Sequence, residues 1–200
     1  RICMYGQTTQ SISLKGHTDS ILCIAYDPKG KYMATSSADG TVRIWDIEGD
    51  APRTVKTINV GKVAPDAKQR RVVAWHPDGD SLAIPVANEV QVRERATWET
   101  LSKLSGAHTK DVSVVAWSPN GSYLASAGLD KQIFVWDSST NETIDRHKGD
   151  RGSEAVSLGL AWAPTENTLA FIDDLGQLGM WIDPVAKHLA PPMGDGWTVA

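Results

Sequence analysis

Three residue types that together could carry acyl-transfer chemistry lie near the start of the chain. His17, Ser37 and Asp39 supply an imidazole, a hydroxyl and a carboxylate, which a hydrolase uses as base, nucleophile and orienting acid. The Gly-x-Ser-x-Gly turn that exposes a nucleophilic serine is absent around Ser37. No phosphate loop, metal-ligand pair or Cys/His arrangement occurs in the sequence. We therefore expect no catalytic residue, no metal and no cofactor, and a structural use for these side chains.

The stretch that holds them is patterned as an antiparallel sheet. Residues 16–46 read GHTDSILCIAYDPKGKYMATSSADGTVRIWD. Three runs of about five residues are separated by a Pro-x-Gly turn at 28–30 and an Ala-Asp-Gly turn at 38–40, which predicts a three-stranded meander. Gly-His at the start and Trp-Asp at the end are typical of a WD-repeat propeller blade.

Resemblance to WD-repeat blades implies a role for four polar positions. In such blades a His, a Ser or Thr, an Asp and a Trp form one hydrogen-bonded network. This sequence supplies His17, Ser37, Asp39 and Trp45 at the matching positions. A half-buried carboxylate at Asp39 needs donors, and the imidazole, the hydroxyl and the turn amides can provide them.

The same pattern recurs along the chain. The distance from His17 to His108 and the distance from Trp45 to Trp136 are both 91 positions, about twice the ~45-residue WD-repeat period. The turn prolines recur at intervals of 49, 42 and 45 residues, at Pro28, Pro77, Pro119 and Pro164.

The later repeats depart from the full pattern. In the third repeat His108, Asp130 and Trp136 are present, but Gly128 stands where Ser37 does, which predicts a missing hydroxyl. In the second repeat Asn88 replaces the turn Asp, and Pro85 predicts poor pairing of its strand because proline lacks a ladder donor. In the fourth, Leu175 occupies the turn-Asp position.

The predicted fold is therefore an all-β WD-repeat β-propeller with four blades and part of a fifth. We expect blades at 16–60, 70–104, 108–146 and 158–183, the remainder of a preceding blade at 1–15 (with a strand at 11–15), and the start of a linker at 184–200. Propellers close with four to eight blades, so we expect a fragment of a seven-bladed ring.

Composition narrows the function classes. The 200 residues carry a net charge of -4, which argues weakly against sequence-independent nucleic-acid binding. Cys3 and Cys23 indicate no disulfide framework, and no apolar run is long enough to predict a membrane span. One basic group could still form a partner-binding or DNA-contacting strip, and it consists of Lys68, Arg70, Arg71, Arg93 and Arg95.

Details of the second and fourth repeats point to one family. The runs LAIPV at 82–86, RERATW at 93–98 and DDLGQLG at 173–179 resemble the N-terminal propeller of a replisome adaptor family. Its members are called acidic nucleoplasmic DNA-binding protein in animals, and chromosome transmission fidelity or minichromosome loss protein in fungi. The resemblance covers nearly all of residues 1–185, and the sequence style is closer to the fungal members.

This resemblance implies a nuclear, non-catalytic protein. Such proteins form homotrimers through a downstream region and tether the replicative helicase to DNA polymerase alpha, and they recruit cohesion and repair factors. The N-terminal propeller would be a docking platform for chromatin or repair proteins. Two alternatives stay open, namely an adaptor of another complex, such as a ubiquitin-ligase substrate receptor, and a propeller that contacts DNA directly.

One face of the propeller is the expected docking face, because the loops before the first strands and the turns after the second strands lie together there. The candidate residues on it are Asp19, Ala38, Arg70, Arg71, Lys110, Leu129, Asp150, Arg151 and Leu175.

Overall fold

The computed structural model describes residues 12–49, 51–62, 70–148 and 156–186. The β-strands in these ranges form four antiparallel sheets that follow one another in chain order. The predicted all-β propeller architecture with four blades is confirmed. Within the same ranges no helix has the length and apolar character needed to cross a membrane.

The first two blades have four strands each. Blade 1 contains β1 (Ile21–Tyr26), β2 (Tyr32–Ser37), β3 (Thr41–Asp46) and β4 (Arg53–Asn59). Blade 2 contains β5 (Ala74–Trp75), β6 (Ser81–Val86), β7 (Glu89–Glu94) and β8 (Thr100–Leu104).

Blade 3 again has four strands, and blade 4 has three in the described residues. Blade 3 contains β9 (Val112–Trp117), β10 (Tyr123–Gly128), β11 (Gln132–Asp137) and β12 (Thr143–Lys148). Blade 4 contains β13 (Ser157–Trp162), β14 (Thr168–Asp173) and β15 (Leu178–Ile182).

Apolar side chains on the facing sides of consecutive sheets hold the blades against one another. The second strand of blade 3, β10, is buried along its whole length, because it has a neighbouring blade on each side. Three separate clusters fill the spaces between consecutive blades, with Ile44 and Leu82 in the first, Leu104 and Leu124 in the second, and Leu169 in the third. Burying each such side chain contributes about 1.5–3 kcal/mol.

Three tryptophans on the inner strands also join the blades through hydrogen bonds. Each donates its indole N–H to the carbonyl oxygen of an alanine on the inner strand of the preceding blade. The pairs are Trp75 with Ala25 (3.1 Å), Trp117 with Ala74 (3.2 Å) and Trp162 with Ala116 (3.0 Å). Because the donor and acceptor positions repeat, each blade is held in the same offset relative to its predecessor.

One sequence expectation about pairing is corrected by the structure, and a second, at Pro85, holds on one side of its strand only. Residues 12–15 form no strand, and the rest of the segment predicted at 1–15 lies outside the described residues. Pro85 pairs with Val90 in an unbroken register. On its other side β6 pairs with β5 only at Ala74 and Trp75, so Pro85 has no ladder partner there, as expected of a residue without an N–H donor. The predicted linker is described only as far as residue 186.

Candidate functional site

Four side chains of blade 1 form one directed hydrogen-bond chain. Trp45 Nε1 donates to Thr35 Oγ1 at 2.8 Å, and His17 Nε2 lies 2.8 Å from the same oxygen. His17 Nδ1 lies 2.9 Å from Asp39 Oδ2. Because the carboxylate can only accept, His17 donates from Nδ1 to Asp39, and in that tautomer of the neutral imidazole Nε2 accepts from the threonine hydroxyl. The network ties the loop before β1 to β2, β3 and the turn between them.

The hydroxyl of this network comes from Thr35, and the expectation that Ser37 supplies it is corrected. Ser37 Oγ donates to the carbonyl oxygen of Asp19 at 3.1 Å and accepts the N–H of Asp39 at 3.1 Å. Residues two apart on a strand share a face, so Thr35 and Ser37 both point toward the histidine side of β2. Thr35 lies two residues further from the turn than Ser37, within hydrogen-bond distance of the Trp45 indole.

The carboxylate of Asp39 is held in its charged form by several donors. Its burial alone would raise the pKa of the carboxyl group. The hydroxyl of Thr41 (2.7 Å) and the imidazole of His17 outweigh this effect, with further bonds from the N–H groups of Thr18 (3.0 Å) and Thr41 (2.9 Å). The pKa of Asp39 is therefore held well below its usual range.

Blade 3 contains the same network, complete with a hydroxyl. Trp136 Nε1 donates to Ser126 Oγ at 2.8 Å, and His108 Nε2 lies 2.8 Å from that oxygen. His108 Nδ1 lies 3.0 Å from Asp130 Oδ2. The expected loss of the hydroxyl at Gly128 is thus wrong, because Ser126 is the counterpart of Thr35. A Cβ atom at Gly128 would lie 2.8 Å from His108 Nδ1, so glycine leaves room for the imidazole.

Hydroxyls in these two networks are not placed for nucleophilic attack. Thr35 and Ser126 are 3% and 0% exposed, so a substrate carbonyl cannot approach either oxygen. Each oxygen also accepts a tryptophan N–H, which occupies a lone pair that an attacking nucleophile would use. In the described ranges no group of three or more His, Cys, Asp and Glu side chains is arranged to hold a metal ion. The geometry supports a structural role for both networks.

Blades 2 and 4 use other contacts at the equivalent turns. Asn88 Nδ2 donates to the carbonyl oxygen of His108 at 3.2 Å, so the turn asparagine binds the loop that enters blade 3. In blade 4 Asp174 accepts the N–H of Val156 at 2.9 Å, and Asp173 accepts the N–H groups of Leu175 and Gln177 at 3.0 and 2.8 Å. Leu175 itself is exposed. Neither contact brings a histidine and a hydroxyl together.

The first basic cluster is divided between surface and interior. Lys68 lies outside the described residues, and Arg70 is exposed. Arg71 is only 2% exposed, and its Nη1 donates to the carbonyl oxygen of Gly61 at 2.7 Å. Burial lowers the pKa of Arg71, an effect that the charge of Asp111 partly offsets. Arg71 therefore holds the chain at the entry of blade 2 and has no surface to offer a partner.

The second basic pair lies at the other end of blade 2. Strands β5 and β7 run in the same direction, so Arg71, before β5, and Arg95, after β7, lie at opposite ends of the sheet. Arg93 Nη2 donates to Gln91 Oε1 at 2.6 Å, and Arg95 Nη2 donates to Asp27 Oδ2 at 2.6 Å. The described members of the predicted basic strip therefore do not form one surface.

On the expected docking face, the side chains that reach solvent are fewer than the sequence suggested. Asp19, Arg70, Lys110 and Leu175 are exposed, whereas Ala38 and Leu129 are half-buried. Asp150 and Arg151 lie outside the described residues. Four exposed positions thus remain on that face.

The sequence expectations did not include the tryptophans that link one blade to the next, namely those on the inner strands and Trp98. The inner-strand tryptophans could have been found from the recurrence of Ala-Trp at 74–75, 116–117 and 161–162. Trp98 lies in a turn of blade 2 and has no tryptophan counterpart in the repeat pattern, so no such signal marks it. It is nevertheless only 8% exposed, because it packs between blades 1 and 2.

Comparison with known proteins agrees with this architecture. The family model described as "WDHD1 first WD40 domain" matches residues 1–180. The chain is 33% identical over 199 residues to "WD repeat and HMG-box DNA-binding protein 1" of Xenopus laevis, which covers 96% of this chain and 17% of that protein.

Two further relatives extend the comparison. The Homo sapiens protein of the same name is 33% identical over 180 residues, which covers 86% of this chain and 15% of that protein. "Minichromosome loss protein 1" of Schizosaccharomyces pombe is 25% identical over 190 residues, which covers 94% of this chain and 23% of that protein. The chain thus spans less than a quarter of the length of each of these relatives. The resemblance stated from the sequence is confirmed, and the chain belongs to the WDHD1 first WD40 domain family.

Proposed function

We propose that this chain is a non-catalytic protein-interaction platform, the propeller of a nuclear DNA-replication adaptor. The observation that carries the proposal is the match of residues 1–180 to the WDHD1 first WD40 domain family. Relatives over this stretch are named for DNA binding and for minichromosome loss. Chromosome loss is the defect expected when copying or segregation of chromosomes fails.

The geometry of the site supports the non-catalytic part of this proposal. Both imidazole–carboxylate pairs are enclosed by the sheet and saturated with internal hydrogen bonds. Because these polar groups are used internally, the loops and turns at the surface are the part of the propeller that a partner can reach.

The family match supports a wider proposal about the whole protein. We assign to regions outside this chain the tethering of the replicative helicase to DNA polymerase alpha and the assembly of a homotrimer. The propeller then recruits chromatin, cohesion or repair factors to that complex. An adaptor of a different complex, such as a ubiquitin-ligase receptor, would share the fold but would not accompany newly made DNA.

We assign DNA contact to other parts of the protein. The relatives' name pairs WD repeats with an HMG box, and we attribute their DNA binding to that second module. Within this chain Arg71 and Arg95 are engaged in internal contacts, and the net charge is -4. These features give phosphate groups little basic surface to bind.

Capture of proteins on nascent DNA tests the replication role. Tagged full-length protein should be recovered with DNA labelled for a short pulse, and should decline when the label is chased into mature chromatin. A replicative helicase subunit serves as the positive reference and a core histone as the stable control. Recovery that is equal before and after the chase, or absent in both, would contradict the proposal.

A further inference from the structure

An open cleft of about 270 Å³ lies at one end of the junction between blades 2 and 3. It has an apolar wall and a polar rim, formed by Leu101, Leu104, Trp117 and Leu124 in the wall and by His76 and Asp78 at the rim. Leu101 is 59% exposed, so part of the wall faces solvent. We call this site the junction cleft.

The corresponding place at the junction of blades 1 and 2 is filled by two long side chains. Trp98 packs edge-on against Tyr32 and Trp75, with ring centroids 5.4 and 6.0 Å away. Arg95 lies over the Tyr32 ring, 4.8 Å from its centroid, and donates to Asp27 Oδ2 at 2.6 Å. An aromatic ring and a guanidinium group three residues before it therefore close this junction.

Main-chain hydrogen bonds show which residues of blade 3 are the counterparts. Trp98 N–H donates to the carbonyl oxygen of Glu94 at 2.8 Å. In blade 3, Asn141 N–H donates to the carbonyl oxygen of Asp137 at 2.9 Å. Trp98 and Asn141 also share a left-handed backbone, with φ of 64° and 61°. Asn141 therefore occupies the turn position of Trp98, and Ser138 occupies that of Arg95.

The facing residues of the preceding blade are equivalent in the same way. Asp27 N–H donates to the carbonyl oxygen of Tyr32, and His76 N–H donates to that of Ser81, both at 2.9 Å. Ser81 is therefore the counterpart of Tyr32. At the junction of blades 2 and 3, serine, serine and asparagine stand where the other junction has tyrosine, arginine and tryptophan, and this loss of side-chain volume leaves the cleft open.

The third described junction is filled by a different route. Tyr123 stacks on Trp162, with ring centroids 6.4 Å apart, and Val185 is fully buried in the same apolar cluster. Among the three junctions that the described residues form, only the one between blades 2 and 3 has small side chains at all these positions.

The dimensions and charge of the junction cleft define what fits it. A cavity of about 150 Å³ holds a benzene ring, so a cleft of about 270 Å³ has room for one large aromatic side chain. Asp78 places a carboxylate at the rim, 2.7 Å from His76 Nδ1. Burial would raise the pKa of Asp78, but the N–H of Asp80 and the His76 ring outweigh it and hold that pKa below its usual value.

We propose that the junction cleft binds a segment of a partner protein that carries an aromatic side chain and, three residues before it, an arginine or lysine. The aromatic ring occupies the space that Trp98 fills at the other junction, against Leu101 and Trp117. The cation faces the Asp78 carboxylate at the rim, two residues after His76, which is the counterpart of Asp27. This inference rests on the proposed platform function and adds the class of segment that the platform recognises.

A labelled synthetic peptide tests the cleft directly. The probe is the chain's own filling sequence, residues 94–100 (ERATWET), with blocked ends and a fluorescent dye, titrated into the intact protein and followed by fluorescence anisotropy. We expect saturable binding. Replacing the peptide tryptophan by alanine should weaken it about tenfold, because a buried aromatic anchor is lost. Replacing its arginine by alanine should weaken it about threefold at low salt.

Variants of the protein locate the binding. Ser138→Arg combined with Asn141→Trp places an arginine and a tryptophan side chain in the cleft, at the turn positions of Arg95 and Trp98, and should abolish peptide binding. Thr140→Trp adds the same ring to an exposed position of the same turn and should leave binding unchanged. Leu101→Ser, at an exposed wall position, gives a second test that does not depend on repacking, with an expected loss of about tenfold.

Three results would overturn the inference. The first is absence of saturable binding. The second is binding of the tryptophan-free peptide as tight as that of the original peptide. The third is binding by the Ser138→Arg/Asn141→Trp variant and by Leu101→Ser that is as tight as binding by the wild type. None of these would bear on the proposed function, which is measured by recovery of the protein on nascent DNA.

Discussion

Trp117 donates its indole N–H to the carbonyl oxygen of Ala74, at 3.2 Å across the boundary between blades 3 and 2. The acceptor belongs to the strand that itself carries Trp75, whose indole reaches back to Ala25. These bonds form a relay from blade to blade along the innermost strands. The carbonyl of Ala74 also faces Ala83 within its own sheet, so the indole N–H is an additional, inter-blade donor to it.

The first prediction concerns this relay. Trp117→Phe removes the N–H and keeps most of the ring, and should lower the free energy of unfolding by about 1–2 kcal/mol. Chemical denaturation measures the change. Tyr26→Phe is the matched control, since Tyr26 holds the same repeat position in blade 1 and is exposed. The control should change stability by less than about 0.5 kcal/mol. Equal effects of the two substitutions would show that the hydrogen bond contributes nothing.

A second prediction distinguishes Ser126 from Gly128 in blade 3. Ser126→Ala leaves Trp136 Nε1 and His108 Nε2 without their shared partner, and should cost about 1–3 kcal/mol. Gly128→Ser places a hydroxyl where the sequence pattern suggests one is missing. It should also destabilise the protein, because its Cβ atom would lie 2.8 Å from His108 Nδ1. Thermal unfolding compares the two variants. Stabilisation by Gly128→Ser would contradict this assignment of the network.

The third prediction is a pH dependence that originates at Asp39. Its pKa is lower in the folded state than in the unfolded chain, so the folded state binds fewer protons near pH 4. Its contribution to stability is therefore complete above about pH 5 and is lost as the pH falls below about 4. Asp39→Asn should flatten this part of the curve of unfolding free energy against pH. A curve of the same shape for the wild type and for Asp39→Asn would contradict this origin of the pH dependence.

A fourth prediction separates the buried ion pair from exposed ones. Arg95→Ala leaves the fully buried carboxylate of Asp27 without its cation, and should cost about 3 kcal/mol. Arg53→Ala breaks a surface pair with Asp46, 3.8 Å long, and should cost less than about 1 kcal/mol. Urea denaturation of both variants gives the comparison. Equal and small losses of stability in the two variants would contradict the assignment of Arg95 to a buried, structural ion pair.

Much of the fold could be predicted from the sequence because its signals are local. Turn residues at Pro28 and Gly30, and the 91-residue spacing of the histidines, fix where strands begin and repeat. The choice between Thr35 and Ser37 could not be made, since both project from the same face of β2 and only the reach of Trp45 distinguishes them.

The positions of the basic residues could not be predicted from their closeness in the sequence. Arg71 and Arg95 are close in the chain, but the sheet places them at opposite ends of blade 2. Their partners, Gly61 and Asp27, come from blade 1 or from the segment that leaves it. Long-range pairing of this kind depends on how blades stack, and no local pattern encodes it.

Proximity labelling in S-phase nuclei shows whether this propeller recruits other macromolecules, when full-length protein is compared with a version that lacks residues 16–183. We expect DNA polymerase alpha and the replicative helicase to be labelled equally by both proteins. We also expect a distinct set of chromatin, cohesion or repair factors to be labelled only when the propeller is present. An identical set of labelled proteins from both versions would contradict the proposal that the propeller is a recruitment platform.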